Sequence, residues 1–218
     1  MSHRAPRDAT TDMGEFAAAL ASALADYGID ELDDAQRARL AKHYAMMRAW
    51  NRRVNLTRII EPEEAARLHY ADSLFGGRFI GEAQTILDIG SGAGFPAMAL
   101  AVLRPDIAVA ALEANQKKAL FLAEAGDALG LKNFKVATAR VETFDLSGFD
   151  LLTSRALDRA EEILPAVIER MNGGQRFLLY CAPDLLGKLT ARLAADFAAE
   201  THAIPRSEAR LIAVFNRR

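Results

Sequence analysis

The sequence predicts an α/β protein built on a doubly wound, mainly parallel seven-stranded sheet, with a helical extension at its N-terminal side. Three observations carry this expectation. From about Thr85 onward, short apolar runs alternate strictly with helix-period segments. The runs are apolar on both faces, as strands covered by helices on both sides must be. The last two, HAI and RLIAVF, read as a closing antiparallel pair at one edge.

Taken in order, residues 1–12 are polar and aperiodic and are expected to form a disordered tail. Residues 13–78 are expected to form a helical region, in three segments. Phe16, Leu20 and Leu24 mark the first; the acidic stretch from Asp30 to Asp34 introduces a second through Leu40, Tyr44 and Met47 toward Trp50. The third begins near Glu61, where Pro62 suits a first helical position and the neighbouring glutamates complement the helix N-terminus, and it ends before Gly76-Gly77. Residues 79–218 are expected to form the sheet domain. Its strands are TILDI, IAVAAL, FKVATA, DLLTS, RFLLYC and the closing pair. Between them the helices fall at 96–103, 116–129, 157–171 and 185–197, with a short helical turn near Val141 to Phe144.

With 218 residues and 51% apolar content the chain has room for one generous core. Its net charge of -2 argues against coating nucleic acid through global charge, while leaving room for a local basic patch. The single Cys181 excludes an internal disulfide or a cysteine metal cluster. No apolar signal region and no run of eighteen apolar residues occurs, so a cytoplasmic protein without a membrane partner is expected.

The stretch LDIGSGAGFP, residues 87–96, ends the first strand and opens the next helix. Ligands of doubly wound sheets lie at such carboxyl ends. A dinucleotide fingerprint requires G-x-G-x-x-G, but counting from Gly90 puts Gly92, Gly94 and then Phe95 in the last slot. A triphosphate loop requires a Gly-Lys-Ser/Thr ending, and no lysine is near. What remains is a bare turn preceded by Asp88 and faced by Glu113 at the end of the second strand. A carboxylate there suits two ribose hydroxyls, though a solvated loop acid fits Glu113 as well. This pattern resembles that of S-adenosylmethionine-dependent methyltransferases.

Five motifs in order sharpen the resemblance: AWNRRVNLT (49–57), HYADSL (69–74), DIGSGAGFPAMALA (88–101), RVETF (140–144) and SRA (154–156). Together they resemble the RsmG, or GidB, type of ribosomal RNA guanine-N7 methyltransferases, across nearly the whole chain from about residue 14. The resemblance implies a Rossmann-like class I methyltransferase fold, S-adenosyl-L-methionine as cofactor, and a guanine of 16S ribosomal RNA near the decoding centre as acceptor, naked or in the 30S subunit. A monomer is expected. Cofactor contacts would fall on Asp88, Gly90, Ser91, Gly92, Gly94, Phe95, Glu113, Val141, Glu142 and Arg155, with Arg155 also by the reacting groups as the catalytic residue. RNA contacts would fall on Arg52, Arg53, Arg58 and His69. The chain departs from the family after the fifth strand, where Cys181-Ala182-Pro183 stands in place of a lysine-glycine pair.

The chemistry agrees with this. Guanine N7 has a free lone pair and no proton to lose, so no general base is required, and no paired-carboxylate or His/Asp constellation is evident. Exocyclic-amine methyltransferases share an Asn/Asp-Pro-Pro-aromatic motif where this chain has Thr153-Ser154-Arg155-Ala156. Cys181 lies in a region suited to a pyrimidine C5 nucleophile, but a lone cysteine ending an apolar strand more often packs as a small buried residue. From Arg37 to Arg58 there are seven lysines or arginines and no acid, with Trp50 among them. Two readings stand for that stretch: a phosphate-binding face with a stacking aromatic, or a solvated helix face with Trp50 in the core. The rivals to RNA methylation are a small-molecule acceptor and a non-catalytic, cofactor-binding assembly factor.

Overall fold

The computed structural model describes residues 9–30 and 32–218. Helix α1 (Ala9–Asp26) begins inside the stretch expected to be a disordered tail, of which residues 1–8 lie outside the described residues. The reason is geometric: the amides just before Phe16 need carbonyls one turn upstream. Helix α2 (Asp34–Asn51) starts on a capping box in which Asp33 accepts from the Gln36 amide and Gln36 accepts in return. The third helical segment is continuous but changes pitch: α3 (Pro62–Ala65), a π-helical stretch Ala66–Ala71, α4 (Asp72–Phe75) and a 3₁₀ turn Gly76–Phe79.

The sheet then forms with its helices in alternation. Strand β1 (Thr85–Ile89) leads to α5 (Ala97–Leu103), β2 (Ala108–Leu112) to α6 (Gln116–Leu129), and β3 (Phe134–Ala137) through an irregular turn to β4 (Leu151–Arg155). Helix α7 (Ala160–Glu169), β5 (Arg176–Cys181), α8 (Pro183–Leu193), β6 (Phe197–Ala203) and β7 (Leu211–Arg217) complete the chain. The seven strands lie in the order β3-β2-β1-β4-β5-β7-β6, with β7 antiparallel to both neighbours. The last helix, expected to reach 197, stops at Leu193, and Phe197 opens β6. Phe197 fits the helical period of Leu189 and Leu193, which is why the pattern alone misplaces it.

Successive strand residues point to opposite faces, and each face has its own core. Leu178, Tyr180, Ile212 and Val214 join the cluster under α5 and α6, whereas Phe177, Leu179, Ala213 and Phe215 join the one under α7 and α8. Helices α1 and α2 add a further layer on the α5/α6 side. Phe16 is fully buried and stacks on Tyr44 at 4.1 Å between ring centroids, so the N-terminal helices share one continuous core with the sheet. Among the described residues no helix is long and apolar enough to cross a membrane, and no group of His, Cys, Asp and Glu is placed to hold a metal ion.

Candidate functional site

Strands β1 and β4 are parallel neighbours, and the strand order reverses between them, which opens a crevice at their carboxyl ends. The glycine loop forms one wall. Gly90, Gly92 and Gly94 have φ of 75°, 55° and 93°, a region that residues with a Cβ rarely adopt. The Gly90 and Ser91 amides donate to the Leu112 carbonyl at 2.8 and 3.3 Å, tying the loop to the end of β2. Close packing adds a second constraint. A Cβ on Gly90 would lie 2.5 Å from Leu157 Cδ1, and one on Gly94 would lie 3.2 Å from His43 Nε2. At Gly92 the space is open, so its bare backbone faces the cavity.

The two acids flank this loop differently. Glu113 Oε2 accepts from the Gly92 amide at 2.9 Å and Oε1 from the Asn115 amide at 2.8 Å, which leaves lone pairs on a carboxylate that lines the cavity. Asp88 is fully buried beneath the loop and does not line the cavity. Its Oδ2 accepts from the Ala97 amide at 3.4 Å, Oδ1 has no hydrogen bond among the described residues, and burial pushes its carboxyl up to about 7.

Arg155, at the end of β4, is held by the π-helical stretch. Its Nη1 donates to the Leu68 carbonyl at 2.6 Å and its Nη2 to His69 Nδ1 at 2.6 Å. A π-helical stretch shifts the ordinary backbone ladder, and here its exposed carbonyls find a guanidinium. The Arg155 guanidinium lies 5.2 Å over the Phe95 ring, and the His69 ring stacks on the same Phe95 at 4.4 Å. Because Nδ1 accepts from Arg155, the His69 proton sits on Nε2 and is donated to Thr57 Oγ1 at 2.9 Å. Burial, reinforced by the Arg155 charge, pushes His69 down to about 2, so it stays neutral. Ala156, directly after Arg155, has φ of 53° and turns the chain sharply toward Leu157.

Thr57 is itself positioned by Asn51, whose Oδ1 accepts from the Leu56 and Thr57 amides at 2.8 and 3.0 Å. The AWNRRVNLT motif therefore folds as a side-chain-closed loop that covers the crevice. Two adjoining cavities result. One of about 230 Å³ is bounded by Gly90, Gly92, Phe95, Glu113 and Arg155. The other, of about 700 Å³, shares Thr57, His69 and Arg155 with it and runs past Tyr180 and Cys181 to Arg58 and Arg210.

Of the residues expected at the site, Gly90, Ser91, Gly92, Phe95, Glu113 and Arg155 come together on the smaller cavity. Gly94 packs behind it against His43 and Met98. Val141 is buried in the α7/α8 core and Glu142 is exposed, and neither lines these two cavities; Arg170 Nη1 donates to the Val141 carbonyl at 2.8 Å and pins that turn. Arg58 lines the larger cavity, whereas Arg52 and Arg53 are exposed in the turn after α2 and lie outside both linings. His69, expected as an RNA contact, lines both cavities but is only 5% exposed, with both ring nitrogens engaged by Arg155 and Thr57. Trp50 is partly buried and packs on Phe121 at 5.7 Å between ring centroids, against the edge of the core. Burial raises the Cys181 thiol to about 12, which removes it as a thiolate nucleophile. Thr57, Lys118, Leu157, Asp72 and Arg210 were not anticipated. Thr57 lies within a quoted motif, but nothing local marks Arg210, which reaches the cavity only because β7 pairs Leu211 opposite Cys181.

Comparison with known proteins adds to this geometry. The family described as rRNA small subunit methyltransferase G matches residues 36–199. The ribosomal RNA small subunit methyltransferase G of Neisseria meningitidis is 41% identical over 137 residues, covering 63% of this chain and 66% of that protein. Its namesake in Solibacter usitatus is 38% identical over 152 residues, covering 69% of this chain and 72% of that protein. The chain thus spans just under two thirds of the first relative's length. Among solved structures, a ribosomal protein L11 methylase from Lactobacillus delbrueckii subsp. bulgaricus superimposes with a TM-score of 0.56 at 20% identity, over 70% of this chain and 80% of that one, a likeness of fold.

Proposed function

Because the chain belongs to the rRNA small subunit methyltransferase G family, we infer that it transfers a methyl group from S-adenosyl-L-methionine to N7 of a guanine in 16S ribosomal RNA. The observation that carries this reading is the pair of joined cavities meeting at Arg155, one walled by the glycine loop and one open to basic residues. The smaller cavity fits an adenosyl group: a bare Gly92 backbone allows close approach, and the Glu113 oxygens retain lone pairs for two hydroxyls. Gly90, Gly92, Phe95 and Glu113 would hold the cofactor, which supplies an electrophilic methyl on sulfur.

The protein's work is then positioning and exclusion of water, since N7 attacks with its own lone pair and gives up no proton. Arg155 cannot swing freely, because the Leu68 carbonyl and His69 fix it over Phe95. Its remaining N–H donors would bond the guanine O6, turning N7 toward the methyl group. Neutral His43 and His69 brace the wall and take no proton. On this reading the acceptor is small-subunit RNA, as naked RNA or a 30S particle, and the protein works in the cytoplasm, where that RNA is found. The test is incubation with labelled S-adenosylmethionine and 30S subunits or naked 16S RNA lacking the modification, followed by nucleoside analysis. Label in 7-methylguanosine supports the reading; cofactor binding with no label transferred to either substrate contradicts it.

A further inference from the structure

The larger cavity does not end at Arg210. Beyond it an open groove of about 760 Å³ runs between Arg67, on the π-helical stretch, and the β6–β7 connection at residues 204–210. Ile204 and Arg210 line both spaces, so groove and cavity adjoin at these two residues. Three arginines, Arg67, Arg206 and Arg210, face this groove against one acid, Glu208, in a chain whose net charge is -2. Arg67 and Arg206 are free to turn toward an anion, whereas Arg210 is anchored at the junction. Among the described residues Arg67 has no ion pair. Arg206 pairs with Asp26 only at the surface, with their side chains 68% and 43% exposed. Such a pair contributes little and exchanges readily for another anion. Arg210 holds buried Asp72 at 3.1 Å, and its Nε has no hydrogen bond among the described residues.

An acceptor base that enters the larger cavity brings its own backbone with it, and that backbone must leave by a path that tolerates phosphates. We propose that this groove is the path: Arg210 at the junction, and Arg67 and Arg206 beyond it, bind the phosphodiester backbone of the single-stranded RNA segment next to the target nucleotide. The proposal rests on the reading that the acceptor is RNA. It differs from the sequence expectation, which put the RNA contacts on Arg52, Arg53, Arg58 and His69 and the phosphate face on the stretch from Arg37 to Arg58. Charge complementarity and a groove adjoining the cavity select an RNA strand over a free nucleotide, which would need no groove.

The test uses the full chain and the small-subunit RNA fragment it methylates. Affinity is measured by fluorescence anisotropy across a series of salt concentrations, for the wild type and for the Arg67→Gln/Arg206→Gln double variant. Each lost phosphate contact on a single strand lowers the slope of log affinity against log salt by about 0.7, so the double variant should lose about 1.4 and bind more weakly. Its affinity for S-adenosylmethionine should stay unchanged, which also shows that it is folded. A double variant with the wild-type slope and RNA affinity overturns the groove assignment while leaving the methyltransferase reading intact. A wild type that methylates no small-subunit RNA overturns the reading beneath it.

Discussion

At Gly92 the geometry leaves room for a side chain, and only conformation and charge oppose one. Asp tolerates its φ of 55° better than most residues, so Gly92→Asp should still fold, at a cost of about 1–3 kcal/mol for the left-handed backbone. It would, however, set a second carboxylate beside Glu113, whose Oε2 lies 2.9 Å from the Gly92 amide. Calorimetry should show S-adenosylmethionine binding weakened at least about 100-fold, or ~2.8 kcal/mol, in a variant that still unfolds cooperatively; normal binding would remove the loop from the cofactor site. His69 makes a separate prediction about pH. Its folded pKa is depressed to about 2 from 6.5, so the stability it contributes is complete above pH 6.5 and is lost as pH falls below that value. The unfolded chain takes up that proton and the native one does not, costing about 1.4 kcal/mol per pH unit. Asp88, raised to about 7 from 3.8, acts with the opposite sign between those values, so the histidine is isolated by comparing variants. His69→Gln should show a shallower fall in stability than the wild type between pH 6.5 and 4, measured by denaturant unfolding.

At the scale of elements, the π-helical stretch and β4 act as one unit through Arg155. Lysine keeps the charge but not the planar fork that reaches the Leu68 carbonyl and His69 together. Arg155→Lys should therefore lower the methylation rate by about 100-fold while affinity for S-adenosylmethionine changes little; an unaltered rate would show that the fork is not needed for alignment. Helix α1 makes the second test at this scale. Phe16 is fully buried against Tyr44 and Tyr70, so Phe16→Ala should cost about 3–5 kcal/mol in a single unfolding transition shared with the sheet. Two separate transitions would mean an independent helical domain. These elements also show what a sequence can disclose. The β-α alternation and the glycine loop were legible because their signals are local: short runs apolar on both faces against helical period, and residues that only a left-handed turn requires. The change of pitch across 66–71 was not legible, since ARLHYA carries an ordinary helical pattern and its geometry is fixed by Arg155, 86 positions from His69. Arg210 was hidden for the same reason, its place depending on antiparallel pairing at the far end of the sheet. Val141 and Glu142 were legible as a turn, whereas the Arg170 guanidinium that holds their carbonyls, 28 and 29 positions away, was not.

For the whole molecule, a chain of net charge -2 separates its work by region. The glycine loop and Glu113 line a small cavity whose charged walls, Glu113 and Asp158 against Lys118 and Arg155, balance. The wider cavity and its groove gather Arg58, Arg155, Arg210, Arg67 and Arg206 on the path an RNA strand would take. Rising salt should accordingly weaken RNA binding steeply while leaving cofactor affinity almost unchanged, a contrast accessible by parallel titrations. The central claim is that these joined spaces bring one ribosomal guanine to a methyl donor. It is tested most directly by mapping 7-methylguanosine in small-subunit RNA from cells with and without this protein. The account predicts one guanine that loses its methyl group in the absence of the protein and regains it on incubation with purified protein and S-adenosylmethionine. An identical 7-methylguanosine map in both cells would contradict it.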